Sequence, residues 1–215
     1  MNINILRAGL VLPVLTIGLM GAGFPDPPME SINPAGAKTA TAVLAGGCFW
    51  GMQGVYEHVR GVTNTTVGYA GGKKSTAHYE MVGSGNTGHA EAIEIVYDPT
   101  KVTYGQLLKI YFSVAHDPTT LNYQHNDHGT QYRSSIFYSN EEQKKIAEEY
   151  IRELDAAHVY KHPIVTKIAS LEGFYAAEEE HQHFMARNPT HPYIVNVDVP
   201  IFEAFRKSFP ELYKK

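Results

Sequence analysis

The residues best suited to chemistry in this chain are Cys48, its only cysteine, and Glu91. Cys48 follows Gly46-Gly47 and precedes Phe49-Trp50-Gly51. The small and apolar run from Thr39 to Ala45 reads as a strand, and Phe49, Met52, Tyr56 and Val59 recur at helical spacing just after the glycines. The cysteine therefore stands where a strand ends and a helix begins. The first N–H groups of a helix lack partners and carry partial positive charge. A thiol there is expected to ionise below its free pKa of about 8.5 and to serve as a nucleophile. The double glycine allows a tight turn and leaves the sulfur accessible. A lone cysteine can equally be a small buried hydrophobe. Phe49 and Trp50, the only tryptophan, can be ordinary core or, beside a nucleophile, an aromatic pocket for an apolar group.

Glu91 lies in His89-Ala90-Glu91-Ala92-Ile93-Glu94-Ile95-Val96-Tyr97. Residues two apart on a strand share a face, so Glu91 falls with Ile93, Ile95 and Tyr97. Burial on that face would raise its pKa and keep it protonated near neutrality, as a general acid requires. Parity alone equally allows an exposed strand end. His89-x-Glu91 also fits half of the zinc-deaminase signature, but the Pro-Cys-x-x-Cys that completes it is absent. A third polar cluster runs from Asn126 through Asp127, His128 and Tyr132 to Ser134. Its turn residues bring several polar groups to one rim. His116, Asp117 and His125 are near in sequence, but no recognisable metal-ligand spacing is present and no metal is expected. His181 and His183, beside Glu178, Glu179 and Glu180, read as a solvated helix face.

The elements that must position these groups form one domain of ordinary size within 215 residues. Strands are expected at Thr39 to Ala45, Gly61 to Tyr69, Ala90 to Tyr97, Tyr132 to Tyr138 and Ile164 to Ala169. Helices are expected after Cys48, at Thr103 to Val114, from a Ser139/Glu142 capping box to about Ala157, and at Ala176 to Arg187. His116 to Thr130 reads as loop. Strands and helices mix without strict alternation, so the fold class is α+β: a compact single domain with a mixed central β-sheet and flanking helices. A net charge of -4 without a Lys/Arg run argues against a nucleic-acid partner. A single cysteine excludes an intramolecular disulfide and a multi-thiolate zinc site.

The N-terminal region differs. Arg7 is the only charge before an apolar run from Ala8 to Gly23 that ends in Gly21-Ala22-Gly23. Residues 1–23 read as a signal peptide and imply export, to the periplasm if the cell has one; a retained membrane anchor or a cytoplasmic extension are the alternatives. Residues 24–38, with Pro25, Pro27, Pro28 and Pro34, read as a linker, and residues 39–215 as the catalytic domain.

Gly47-Cys48-Phe49-Trp50-Gly51, Gly88-His89-Ala90-Glu91-Ala92 and Asn126 to Ser134 together resemble the three signature segments of the type A methionine sulfoxide reductases. His116-Asp117-Pro118-Thr119 and Gln182 to Pro189 extend the likeness, which covers roughly residues 40 to 205. The resemblance implies reduction of the S epimer of methionine sulfoxide, in proteins or free. Cys48 would attack the sulfoxide sulfur and become a sulfenic acid. Glu91 would protonate the oxygen, assisted by Tyr79 and Tyr132. Phe49 and Trp50 would hold the S-methyl group, and Asp127 the substrate's backbone amide. No bound cofactor is implied, and a monomer is expected.

Many members of that family carry further cysteines near the C-terminus, and Pro189 to Lys215 has none. An external thiol, from a thioredoxin-like protein or a small molecule, would then reduce Cys48. Two other classes stay open on the residues alone: a cysteine hydrolase or thiol peroxidase using one of eleven histidines as base, and a non-catalytic module that binds oxidised methionine.

Overall fold

The computed structural model describes residues 24–30 and 37–215; the expected signal peptide lies outside the described residues. In chain order the elements are β1 (Ala40–Ala45), α1 (Phe49–Tyr56), β2 (Val62–Ala70), α2 (Tyr79–Val82), β3 (Ala90–Tyr97) and α3 (Tyr104–Ile110). A small hairpin of β4 (Tyr123–Gln124) and β5 (Asp127–His128) follows, then β6 (Ser135–Tyr138), α4 (Glu141–Ala156), β7 (Lys167–Ser170), β8 (Phe174–Ala176), α5 (Phe184–Arg187) and α6 (Val199–Ser208).

Six strands form one sheet in the order β7-β6-β1-β3-β2-β8. The β6/β7 pair is parallel and the other neighbours are antiparallel. The mixed α+β architecture read from the sequence is the one found. Strand period two divides β3 cleanly. Ile93, Ile95 and Tyr97 join Met52, Tyr56, Leu107, Leu108, Tyr150 and Phe205 in the main core, while Ala90 and Ala92 pack with Val43 and Phe137 on the opposite face. Glu91 thus shares the face of β3 that α1 covers.

Residues 24–30, part of the expected linker, lie against the domain. The Tyr150 hydroxyl donates to the Pro25 carbonyl at 2.8 Å, Lys109 pairs with Asp26 at 2.6 Å, and the Phe24 ring packs on the edge of Tyr160.

Two expectations are corrected. The cap of α4 is Asn140, one residue later than expected, whose side chain accepts from the Gln143 N–H at 2.9 Å. Gln143, rather than Glu142, reaches back, accepting at 2.8 Å the N–H of Ser139, the residue before the cap. An Asn N-cap contributes about 1 kcal/mol. Asn140→Ala is therefore expected to lower unfolding stability by that amount in a denaturant titration while leaving activity unchanged.

The helix expected over Ala176 to Arg187 is absent. That stretch holds the end of β8, a 3₁₀ turn at Glu179–His181 and the single-turn α5. Its good helix formers carry no apolar stripe, and tertiary bonds outweigh propensity. Gln182 uses its side chain to satisfy both the N–H and the carbonyl of Val67, and His183 sits at φ 55°. Conversely, α6 went unread. Its Pro200 in the first turn, the Phe202 and Phe205 on its inner side and Arg206-Lys207 in its last turn are all helix signals.

Candidate active site

Cys48 is the N-cap residue of α1. The turn that delivers it depends on Gly47, which has φ +88° and stands where a Cβ would come within 2.7 Å of the Gln124 side chain. Gln124 is fixed in turn by the Asp117 N–H (3.1 Å) and the Asp117 carbonyl (2.6 Å). Only a glycine meets both conditions. Cys48 as a residue is partly exposed.

Across from it, β3 presents Glu91, which is buried and accepts the Phe49 N–H through Oε2 at 3.2 Å. The solvated alternative for Glu91 is thereby excluded. Burial pushes its pKa up to about 8, Asp127 adds to the shift, and the Phe49 N–H partly offsets it. The carboxyl holds its proton at neutral pH.

The expectation of a low Cys48 pKa is corrected. Burial raises the thiol well above its ordinary value, and the charges of Glu91, Asp198 and Asp127 add to that. A hydrogen bond from the Trp50 N–H acts the other way and is outweighed. The helix start supplies positive dipole, but two carboxyls packed against the same turn oppose it.

The residues expected to catalyse or to bind substrate, Cys48, Phe49, Trp50, Tyr79, Glu91, Asp127 and Tyr132, line one cleft of about 210 Å³. Phe49 is buried against Tyr69 and His181 at the cleft floor. The Trp50 ring stacks on Phe184 at 3.7 Å. Tyr79 is seated by Glu178, which accepts its backbone N–H at 3.0 Å and also the Tyr69 hydroxyl at 2.8 Å. Burial, then Glu91, pushes the Tyr79 pKa up to about 12, and the same causes raise Tyr132. Both phenols therefore remain hydrogen-bond donors across the physiological range. Among the described residues no group of three histidine, cysteine or acidic side chains could hold a metal ion.

The reading of His181 as part of a solvated face is corrected. It is buried, with its ring 4.1 Å from Tyr79 and stacked near Trp50. His183 pairs with Glu57 on the far side of α1. Two residues in the cleft went unread, His191 and Tyr193. The Tyr193 hydroxyl donates to Asp127 Oδ2 and its ring meets the Trp50 edge. Both come from a C-terminal stretch whose sequence has no local motif. Among the described residues no histidine is hydrogen-bonded to Cys48, and the charges acting on its thiol are all carboxylates.

A thiol facing a protonated, buried carboxyl, with phenols and aromatic rings around a shallow opening, suits reduction of a polar S=O group carried on an apolar thioether. Residues 40–212 match the family described as peptide methionine sulfoxide reductase. The chain is 56% identical over 181 residues to peptide methionine sulfoxide reductase MsrA 2 of Mesorhizobium japonicum, covering 84% of this chain and 93% of that one. Among solved structures it is similar to methionine sulfoxide reductase A of Corynebacterium diphtheriae (TM-score 0.62, 36% identity, 73% of this chain and 78% of that one). Reduced Mxr1 from Saccharomyces cerevisiae is comparably similar (TM-score 0.62, 34% identity, 76% and 92%).

Proposed function

Because this chain belongs to the peptide methionine sulfoxide reductase family, we propose that it reduces methionine S-sulfoxide, in proteins or free, to methionine through a sulfenic acid on Cys48. The observation that carries this reading is the pairing of Cys48 with a carboxyl, Glu91, held protonated by burial in the same cleft. Sulfoxide reduction needs a sulfur nucleophile on one side and an acid for the departing oxygen on the other.

In this scheme Phe49 and Trp50 receive the S-methyl group, and Asp127, held by Tyr193, accepts the substrate's backbone N–H. Glu91 protonates the sulfoxide oxygen while Tyr79 and Tyr132 donate to it. Cys48 sulfur attacks the substrate sulfur. The net change is thiol plus sulfoxide giving sulfenic acid plus thioether, with two electrons passing from the cysteine sulfur to the methionine sulfur. An external thiol then attacks the sulfenic sulfur, releasing water and forming a mixed disulfide, and a second thiol frees Cys48. With one cysteine in the sequence, that reductant is another molecule, a thioredoxin-like protein or a small thiol.

The test is to incubate the reduced protein with each sulfoxide epimer over a range of pH. The S epimer should be consumed and the R epimer spared. The rate of the reductive step should fall as pH rises through about 8, because Glu91 acts in its protonated form and loses it there. Equal use of both epimers, or a rate that climbs steadily past pH 9, would overturn the scheme.

We also propose export, supported by Arg7 followed by an apolar run that ends in Gly21-Ala22-Gly23. Sequencing the mature N-terminus checks it: cleavage near Gly23 is expected, and an intact Met1 in the secreted fraction or the cytoplasm contradicts it.

A further inference from the structure

Asp198 is a second carboxyl beside Cys48 and has no part in the scheme above. It ends the irregular helical turn Ile194–Asp198 that leads into α6. The residue is 2% exposed, and its Oδ2 is buried without a hydrogen-bond partner among the described residues. Its Oδ1 presses on the first turn of α1, where a Cβ at Gly51 would come within 2.4 Å of it. Glycine at position 51 is what lets this carboxyl approach the helix start. Cys48 and Asp198 line one small cavity together with Tyr193 and His125, and it adjoins the cleft that holds Glu91 through Cys48 and Tyr193.

A thiol attacks only after losing its proton, and the proton needs an acceptor. Glu91 is unsuited, since it must stay protonated to serve as the acid. Asp127 is occupied by the Tyr193 hydroxyl. Asp198 is buried, unpartnered and adjoining. We propose that Asp198 is the base for Cys48. The S–H bond breaks, an O–H bond forms on the Asp198 carboxylate, and the electron pair stays on sulfur. The pair carries one negative charge before and after the transfer, so no new charge is buried. Once the carboxyl is neutral it no longer opposes the thiolate. After the oxygen is protonated by Glu91, solvent returns one proton from Asp198 to Glu91, and none is consumed overall.

The groups facing Asp198 are consistent with this role. Burial, with Asp127 adding, lifts its pKa to about 7, near that of an efficient acceptor at neutral pH. The other titratable neighbours are Cys48 itself, Tyr193, which burial keeps as a neutral phenol, and His125 at the cavity wall.

The proposal rests on the reductase reading, and its test is arranged to separate the two. Alkylation of Cys48 by iodoacetamide, a neutral reagent, is followed from pH 5.5 to 10 in the reduced full chain. A shared proton makes the thiolate-bearing microstate constant between the two macroscopic ionisations. The wild-type rate should therefore level off above neutrality before rising again. In Asp198→Asn the plateau should vanish and the rate should climb about tenfold per pH unit through neutrality, overtaking the wild type because the opposing charge is gone. Single-turnover reduction of methionine sulfoxide by that variant should gain the same climb of about tenfold per unit between about pH 7 and 8, where the wild type is flat.

A wild-type profile without a plateau overturns the proposal, and that profile decides the matter if D198N does not fold. A folded D198N that keeps the wild-type plateau in its alkylation and turnover profiles overturns it as well. Alkylation uses no sulfoxide: a plateau in a protein that reduces nothing would sink the reductase reading and spare the pair.

Discussion

Cys48→Ser is expected to abolish sulfoxide reduction while the fold stays intact. The hydroxyl is a far weaker nucleophile than a thiolate toward sulfur, and it cannot form the sulfenic acid that stores the two oxidising equivalents. Loss of at least about 10⁴-fold, to the level of the uncatalysed background, is the expected readout. The substitution should not destabilise the chain. Cys48 makes no side-chain capping bond to α1, and serine is among the preferred N-cap residues. Denaturant midpoints should be unchanged or slightly raised. Binding of a sulfoxide peptide should survive, since Phe49, Trp50 and Asp127 remain in the cleft. Dead turnover with retained affinity separates a reductase from a module that only recognises oxidised methionine; measurable turnover in the serine variant would remove Cys48 from the chemistry.

Glu91→Gln should be the next most damaging change, slowing the reductive step by about 10²–10⁴-fold. The amide has the shape of the acid and can still accept the Phe49 N–H that joins β3 to the start of α1. It has no acidic proton to give to the departing oxygen. The fold should persist, because an amide at a buried site carries no ionisable group. The variant should also lose the fall in rate near pH 8 that Glu91 imposes. That loss is what a merely structural role would not produce. A wild-type rate, or a wild-type pH profile in a slow variant, would take Glu91 out of the role of acid.

These expectations bear on the other readings of a lone reactive cysteine. A cysteine hydrolase needs a histidine aimed at the thiol. Of the histidines around the site, His181 is buried among aromatic rings, His191 meets the Trp50 and Phe184 rings edge-on, and His116 is neutral at ordinary pH because burial lowers its pKa to about 4. His116 is held instead by Ser134 at 2.7 Å and the Tyr111 carbonyl at 3.0 Å. What surrounds Cys48 is acidic, and it suits a reaction in which a proton is delivered to oxygen.

Much of this site was readable because its chemistry is local. Strand, two glycines, cysteine and helix start are consecutive, so the placement of Cys48 followed from the chain itself. Strand parity placed Glu91 with the apolar residues of β3 and left its burial open. The cleft positions of Tyr79, Tyr132 and Asp127 came from family resemblance, since nothing in their own neighbourhoods points at Cys48. The pKa of the thiol was misjudged because it depends on tertiary neighbours: Glu91 arrives from 43 residues away in sequence and Asp198 from 150. The C-terminal half of the cleft was hidden for a related reason. His181 ends a 3₁₀ turn beside Gln182, whose side chain bonds to β2, and Tyr193 opens the irregular helical stretch that leads into α6; propensity is blind to such contacts.

The central claim is that Cys48 itself takes up the oxidation. Mass spectrometry of a single turnover tests it most directly: reduced protein is mixed with an excess of methionine S-sulfoxide, without any thiol, in the presence of a 1,3-dione that traps sulfenic acids. One methionine should form per protein molecule, and the trap should be found on Cys48 in matching amount. Methionine formed by a protein whose Cys48 remains an unmodified thiol would contradict the account.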